Sequence, residues 1–170
     1  KKAVNNTKGL IMNYDKKPIK AYYFSTSNGY TESSLNVFNE HQEYLTIVES
    51  PFEDIKEQTI TLTIKELCHK LDIPYTKPII KDIKKDNSNR ISSITINNKT
   101  FKGTEIRKKL SLRSTDFSLK IENEIVKITT RGYGHGVGMS QYGANSMAKK
   151  GYTYEEILKY YYKGIEINSI

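Results

Sequence analysis

Tryptophan is absent from this sequence, proline occurs four times and cysteine once in 170 residues. A lone thiol, Cys68, closes no internal disulfide, so the fold has to be held by burial. A chain of this length buries roughly 70% of the surface its unfolded form exposes, which is enough core without metal or disulfide support. Missing disulfides do not fix the compartment, because a sufficient core removes the need for them outside the cell as well. No apolar run approaches the ~20 residues that span a bilayer. The opening Lys1-Lys2-Ala3-Val4-Asn5-Asn6 lacks the apolar stretch of a signal peptide, so any anchor or export signal is expected outside this chain. Arginine is scarce too. The 27 Lys and Arg include only Arg90, Arg107, Arg113 and Arg131. Arginine is the usual reader of bases and clamp of phosphates, whereas scattered lysines form a solvated surface. The net charge of +8 therefore does not call for nucleic acid as a partner.

What is plentiful is tyrosine, 13 residues, with 5 Phe beside it. A phenol offers a flat apolar face and a polar tip, suited to stacking on sugars and equally to half-buried packing. There is no internal repeat and no low-complexity stretch, so a single domain over 1–170 is expected. Leu10 to Tyr14 and Pro18 to Phe24 read as a hairpin around Asp15-Lys16-Lys17. Ser25 to Asn39 is mostly loop, with a short helical turn near Ser33 to Phe38. Thr63-Ile64-Lys65-Glu66 has the form of a capping box, followed by Ile64, Leu67 and Leu71 at helical spacing to about Asp72. Ile79 to Lys84 and Arg90 to Ile96 read as strands joined at Asp86 to Asn89. Thr104 is placed to cap a helix with Ile106 and Leu110 inward. Phe117 to Ile121 and Ile125 to Thr130 form a further hairpin. A helix from about Met139 to Lys150 stops at Gly151, and Thr153 to Glu156 repeats the capping box before Ile157, Leu158 and Tyr161. Strands and helices alternate without a βαβ rhythm. The fold class is α+β, mostly antiparallel strands and hairpins with several short helices.

Two segments invite a chemical reading. In Arg131-Gly132-Tyr133-Gly134-His135-Gly136-Val137-Gly138, glycine takes every second place. As an extended ribbon this would put Tyr133, His135 and Val137 on one face and leave the other as bare backbone open to a ligand. The same glycines also suit positive φ or tight backbone packing in a structural turn. The spacing excludes a P-loop and a dinucleotide fingerprint, and Tyr142 stands where a hydrolase elbow around Ser140 needs glycine. His135 is either a ligand-facing imidazole or a hydrogen-bonded structural one. Gln141 and Tyr142 supply amide and phenol groups of the kind that bind sugar hydroxyls, or cap and pack. The second segment, Phe24 to Ser34, is a row of hydroxyls around Gly29. It offers Ser25, Ser27 and Thr31 to a polyhydroxyl ligand, or bonds its own backbone. Glu32 is the nearby carboxylate, but among hydroxyls it has no evident apolar wall to hold it protonated as a general acid. Cys68, His69, His41 and His135 stand in unrelated contexts and make no zinc site.

Together these segments resemble the SpoIID/LytB family of peptidoglycan-acting proteins. The run Arg131 to Ala144 is similar to the family's glycine-histidine signature, followed by Met147-Ala148, Gly151 and Ile157 to Gly164. Ala21 to Ser33 resembles its Ser-Thr-Ser-x-Gly-x-Thr segment, and Tyr44-Leu45 to Ser50-Pro51 the stretch after it, although Thr46 stands where many relatives carry a basic residue. The resemblance implies a lytic transglycosylase that cuts peptide-free glycan strands to 1,6-anhydro-muramic ends during sporulation engulfment. The alternative is a non-catalytic glycan-binding or amidase-enhancing module. The family's proposed catalytic glutamate lies upstream of the segment that Ala3 to Gly9 resembles, so the catalytic residue is unknown here and this chain alone is expected not to cleave. No cofactor is expected from this chain, and zinc only if upstream residues supply ligands. Ser25, Ser27, Thr31, His135, Gln141 and Tyr142 are the expected substrate-binding residues. Implied partners are glycan strands, the engulfment amidase SpoIIP and the membrane protein SpoIIM. The implied location is extracytoplasmic, in the septal space between mother cell and forespore, anchored through an N-terminal segment outside this chain.

Overall fold

The structure, a computed structural model, describes residues 2–169. It is α+β, with short helices among small, largely antiparallel sheets. Helix α1 (Lys2–Asn6) leads into β1 (Leu10–Tyr14), which turns through Asp15 and Lys16, both at positive φ, into β2 (Lys17–Pro18). The second arm of the expected hairpin is split. Only Lys17–Pro18 pairs with β1, while Tyr23–Phe24 forms β3, which pairs elsewhere. Helix α2 (Ser34–Phe38) is capped by the Ser33 hydroxyl, which accepts from Asn36 N.

Strand β4 (Glu57–Thr63) runs straight into α3 (Ile64–Leu71), whose capping box forms as the sequence predicts: Thr63 accepts from Glu66 N and Glu66 from Thr63 N. Then come β5 (Ile80–Lys85), β6 (Ile91–Ile96) and β7 (Lys99–Lys102) in one sheet. Helix α4 (Gly103–Lys109) starts two residues earlier than expected. Lys102 stands at its N-cap without a side-chain bond, and Thr104 lies inside the helix rather than capping it. Strands β8 (Phe117–Glu122) and β9 (Ile125–Arg131) form the expected hairpin, with β4 on the other side of β9. The chain closes with β10 (Met139–Ser140), α5 (Gln141–Lys149), α6 (Tyr154–Tyr161) and β11 (Glu166–Ser169), which pairs with β1.

The apolar residues gather into two clusters. Leu67, Leu71, Ile94, Phe101, Ile106, Val126 and Ile128 belong to one, built wholly from the stretch between β4 and β9. Tyr44, Leu45, Val137, Met147, Tyr161 and Tyr162 belong to the other, built from the residues before and after that stretch. Between the clusters lies a buried polar seam, which carries the candidate site.

Candidate functional site at the glycine-histidine loop

The two segments singled out in the sequence lie side by side. Strand β3 pairs with β10 in parallel, Tyr23 opposite Met139 and Phe24 opposite Ser140. The Ser25 carbonyl accepts from Tyr142 N at 3.1 Å and from Ser140 Oγ at 3.3 Å. Thr26 and Tyr133 exchange both backbone hydrogen bonds, at 3.0 and 2.7 Å, and Glu32 N donates to Gly136 O at 2.8 Å. These contacts leave Tyr23, Tyr133 and Tyr142 half or more exposed, with Gln141 exposed beside them. Phenol faces, an amide and the half-buried Ser25 are groups that stack on sugar rings and bond hydroxyls.

The glycine ribbon is not extended. All four glycines adopt positive φ, and burial separates the three residues expected on one face: Tyr133 is 50% exposed, His135 half-buried and Val137 wholly buried. The bare backbone faces protein rather than ligand. A Cβ on Gly138 would come 1.9 Å from Tyr22 O, and one on Gly136 would come 2.8 Å from the Arg90 guanidinium. Close packing against Tyr22 to Ser27 and Arg90 therefore explains the glycines.

Ser27 and Thr31 are also turned inward. Both are fully buried. Ser27 Oγ accepts from Gly29 N at 3.1 Å, and Thr31 Oγ1 donates to Thr46 O at 3.0 Å while accepting from Val48 N at 2.8 Å. Their hydroxyls shape the loop from behind. Ser25, Gln141 and Tyr142 face outward to differing degrees.

His135 is packed more closely than its glycine neighbours suggest. Phe38, Phe24 and Tyr22 stand around the imidazole with ring centroids at 5.3, 6.0 and 6.2 Å. Val137 N donates to His135 Nδ1 at 3.0 Å, which requires a lone pair there and so the neutral ring. Burial first, and then the Arg107 charge, push its pKa below the ordinary 6.5, against a hydrogen bond to the Tyr23 backbone. The open side of the ring meets a recess of about 490 Å³ that includes Phe38, Arg107, Lys108, Ser111 and Leu112.

Glu32 has the desolvated setting that its neighbours in sequence conceal. It is 1% exposed. Oε1 accepts from Ser33 N at 2.7 Å and Asn36 Nδ2 at 2.9 Å. Ser88 Oγ stands 2.6 Å from Glu32 Oε2 and 2.7 Å from Asp86 Oδ1. A hydroxyl has one hydrogen, so two contacts this short to two carboxyls need a second proton. Asp86 Oδ1 already accepts from Ser88 N and Arg90 N, whereas Glu32 Oε2 has only Ser88. The shared hydroxyl couples the two carboxyls, and its one proton satisfies only one of them at a time. Burial, then hydrogen bonding to Asp86, raise the Glu32 pKa. With both oxygens engaged, this acid serves the seam. Arg90 lies over it, 2% exposed, donating to Thr31 O and Tyr30 O, and Asn28 Nδ2 reaches Asp116 Oδ2 and Ser88 O at 2.9 Å each.

The residues that sequence reasoning passed over are the arginines. Arg90 underlies Gly136, Arg107 borders the His135 recess, and the Arg113 guanidinium lies 5.1 Å from the centre of the Tyr133 ring. Their scarcity in a lysine-rich chain was the available signal. Among the described residues no group of three or more His, Cys, Asp or Glu is arranged to hold a metal. No helix among them is long and apolar enough to cross a membrane.

No family model matches the chain. Among curated proteins it is 43% identical over 98% of its length to stage II sporulation protein D of Bacillus subtilis (strain 168) and 40% identical over 98% to that of Bacillus amyloliquefaciens. It is 27% identical over 99% of its length to a Bacillus subtilis protein named amidase enhancer, of which it covers 32%. The chain spans about half the length of the two sporulation proteins, matching their C-terminal half.

Proposed function

We propose, for a chain homologous to stage II sporulation protein D across 98% of its length, that it forms a glycan-holding part of a lytic transglycosylase acting in sporulation. The observation that carries this reading is the pairing of the Ser25 loop with the Ser140-Gln141-Tyr142 turn, which sets exposed tyrosines and an amide along one wall. Tyr23, Tyr133 and Tyr142 stack on sugar rings, and Gln141 and Ser25 bond hydroxyls. Ser27 and Thr31 hold the loop in shape. Neutral His135 supplies a hydrogen bond rather than a charge. The substrate is a peptide-free glycan strand, cut to a 1,6-anhydro-muramic end when a general acid protonates the bridging oxygen, the bond from that oxygen to the anomeric carbon breaks, and the C6 hydroxyl of the same muramic residue bonds that carbon and passes its proton to the deprotonated acid. That acid is supplied by the upstream half found in the relatives. Glu32, 1% exposed and with both oxygens hydrogen-bonded to protein, is not the acid in this reading. SpoIIP and SpoIIM are the proposed partners, and the septal space the proposed location.

A second reading is favoured by the resemblance to a protein named amidase enhancer: binding of glycan without cleavage, in aid of another wall enzyme. Product analysis separates the two. A protein joining this chain to the upstream half should release 1,6-anhydro-muramic ends from peptide-free strands, while this chain alone binds chito-oligosaccharide and releases none. Binding without anhydro products from the joined protein supports the second reading. Anhydro products from this chain alone would return Glu32 to the role of acid.

A further inference from the structure

The recess beside His135 has a chemical character that the sugar wall does not account for. Arg107 and Lys108, on α4, face it together with the Ser111 hydroxyl, while Phe38 and Leu112 make its apolar side. No carboxylate lines it. Arg107 is half-buried, and burial lowers its pKa, so its charge has lost part of its hydration. Among the described residues neither Arg107, Lys108 nor Arg113 forms a salt bridge, although six such pairs occur elsewhere. Arg107 spends only its Nε–H, on the Arg113 carbonyl at 3.3 Å. Its two terminal amino groups have no protein acceptor among the described residues.

A partly desolvated guanidinium with its fork unused, a lysine beside it and an apolar wall opposite form a receptor for a carboxylate on a short apolar stem. We propose that this recess binds the lactyl carboxylate of a muramic residue, with Arg107 as the residue that distinguishes muramic-containing strands from neutral chitin-type ones. Resting on the glycan reading above, it adds the basis of selectivity. The D-lactyl ether carries one carboxylate and one methyl. The carboxylate pairs with the Arg107 fork and Lys108, and the methyl lies against Phe38 and Leu112. Neutral His135 at the rim adds no competing charge.

The test compares two ligands of equal length, a peptide-free muramic-containing oligosaccharide and a neutral chito-oligosaccharide, titrated into this chain by calorimetry. Wild type should prefer the muramic strand by about tenfold, the size of one charge-assisted contact. Arg107→Gln should abolish that preference while holding affinity for the neutral oligomer within about twofold, and Arg107→Lys should keep part of it. Loss of affinity for both ligands alike would make Arg107 a packing residue and overturn the proposal. So would an undiminished preference in Arg107→Gln. A wild type that binds both ligands equally removes the recess and leaves the glycan wall standing, whereas one that binds neither removes both. A second reading needs no variant: the Arg107 Nε–H resonance of the wild-type chain should shift on adding the muramic oligomer and stay in place with the neutral one.

Discussion

Glu32 shows how far a side chain's chemistry can depart from its neighbours in sequence. Ser33 and Ser34 follow it and Thr31 precedes it, a setting that reads as wet, yet the carboxyl is 1% exposed and shares Ser88 with Asp86. The setting that favours its protonated form is completed by residues more than fifty positions away. A folded chain that binds this proton more tightly than the unfolded chain draws stability from it. That contribution is complete below the ordinary value of 4.5 and is lost as pH rises through the raised folded value. Glu32→Gln replaces the acid with an amide of the same shape, able to donate to Ser88 and accept from Ser33 N, and removes the titration. Thermal unfolding followed from about pH 5 to pH 8 should fall less steeply for Glu32→Gln than for wild type. Glu32→Ala, which leaves Ser33 N, Asn36 and Ser88 without their partner, should lose roughly 1–3 kcal/mol throughout. Parallel pH curves for wild type and Glu32→Gln would mean that the folded chain holds no such proton.

At the scale of elements, what could be read from the sequence was what local chemistry determines. Thr63 with Glu66 and Thr153 with Glu156 are complete capping boxes in the structure as in the sequence, because all the atoms involved lie within one turn. The β8–β9 hairpin likewise follows from two apolar runs and a short turn. Strand β4 is not among the strands expected from the sequence, although Thr59-Ile60-Thr61-Leu62-Thr63 alternates with period two. Its continuation into a capped helix without a loop hides its end. The splitting of the Pro18 to Phe24 run was beyond local reading, since β3 is defined by a parallel partner, β10, more than a hundred residues later. The glycine loop failed for the same reason. Period two in the sequence suggests an extended ribbon, whereas the distant segment Tyr22 to Ser27 imposes positive φ. Gly138→Ala puts a methyl 1.9 Å from Tyr22 O at φ +78, and should cost roughly 1–3 kcal/mol in strain and displaced packing. Because Met139 N bonds that same carbonyl, the variant should also lose glycan affinity beyond its loss of melting temperature. Alanine at exposed Gly151, where no atom lies within 4 Å of the added Cβ despite its φ of +93, controls for the backbone strain alone. Equal effects at both positions would mean that the contact with Tyr22 adds nothing.

At the scale of the whole molecule, two apolar clusters meet across a seam of charge, and among the described residues Arg90 is its only buried cation. Five bonds of the seam cross from one cluster's segment to the other's: Arg90 to Tyr30 and to Thr31, Ser88 to Glu32, and Asn28 to Asp116 and to Ser88. Burial lowers the Arg90 pKa, and the neighbouring carboxyl groups, Glu32 when ionised, Asp86 and Asp116, oppose that fall. Apolar contact holds each cluster together internally, whereas coupling between them depends on this charge balance, which one residue can upset. Arg90→Met keeps much of the side chain's bulk but removes the charge and both donors. It leaves the Thr31 and Tyr30 carbonyls without their donor, a loss of roughly 1–3 kcal/mol for each buried group left unpaired. That loss falls at the junction, so hydrogen exchange should report it unevenly. Protection in β1, α6 and β11 should drop while β8 and β9, whose packing lies within the other cluster, stay closer to wild type. The calorimetric transition should broaden or split in step. A uniform loss of protection across both clusters, with one sharp transition at lower temperature, would instead make the seam part of a single cooperative core. The glycine-histidine loop rests on Arg90 at Gly136, so under the split outcome glycan affinity should fall even where both clusters remain folded.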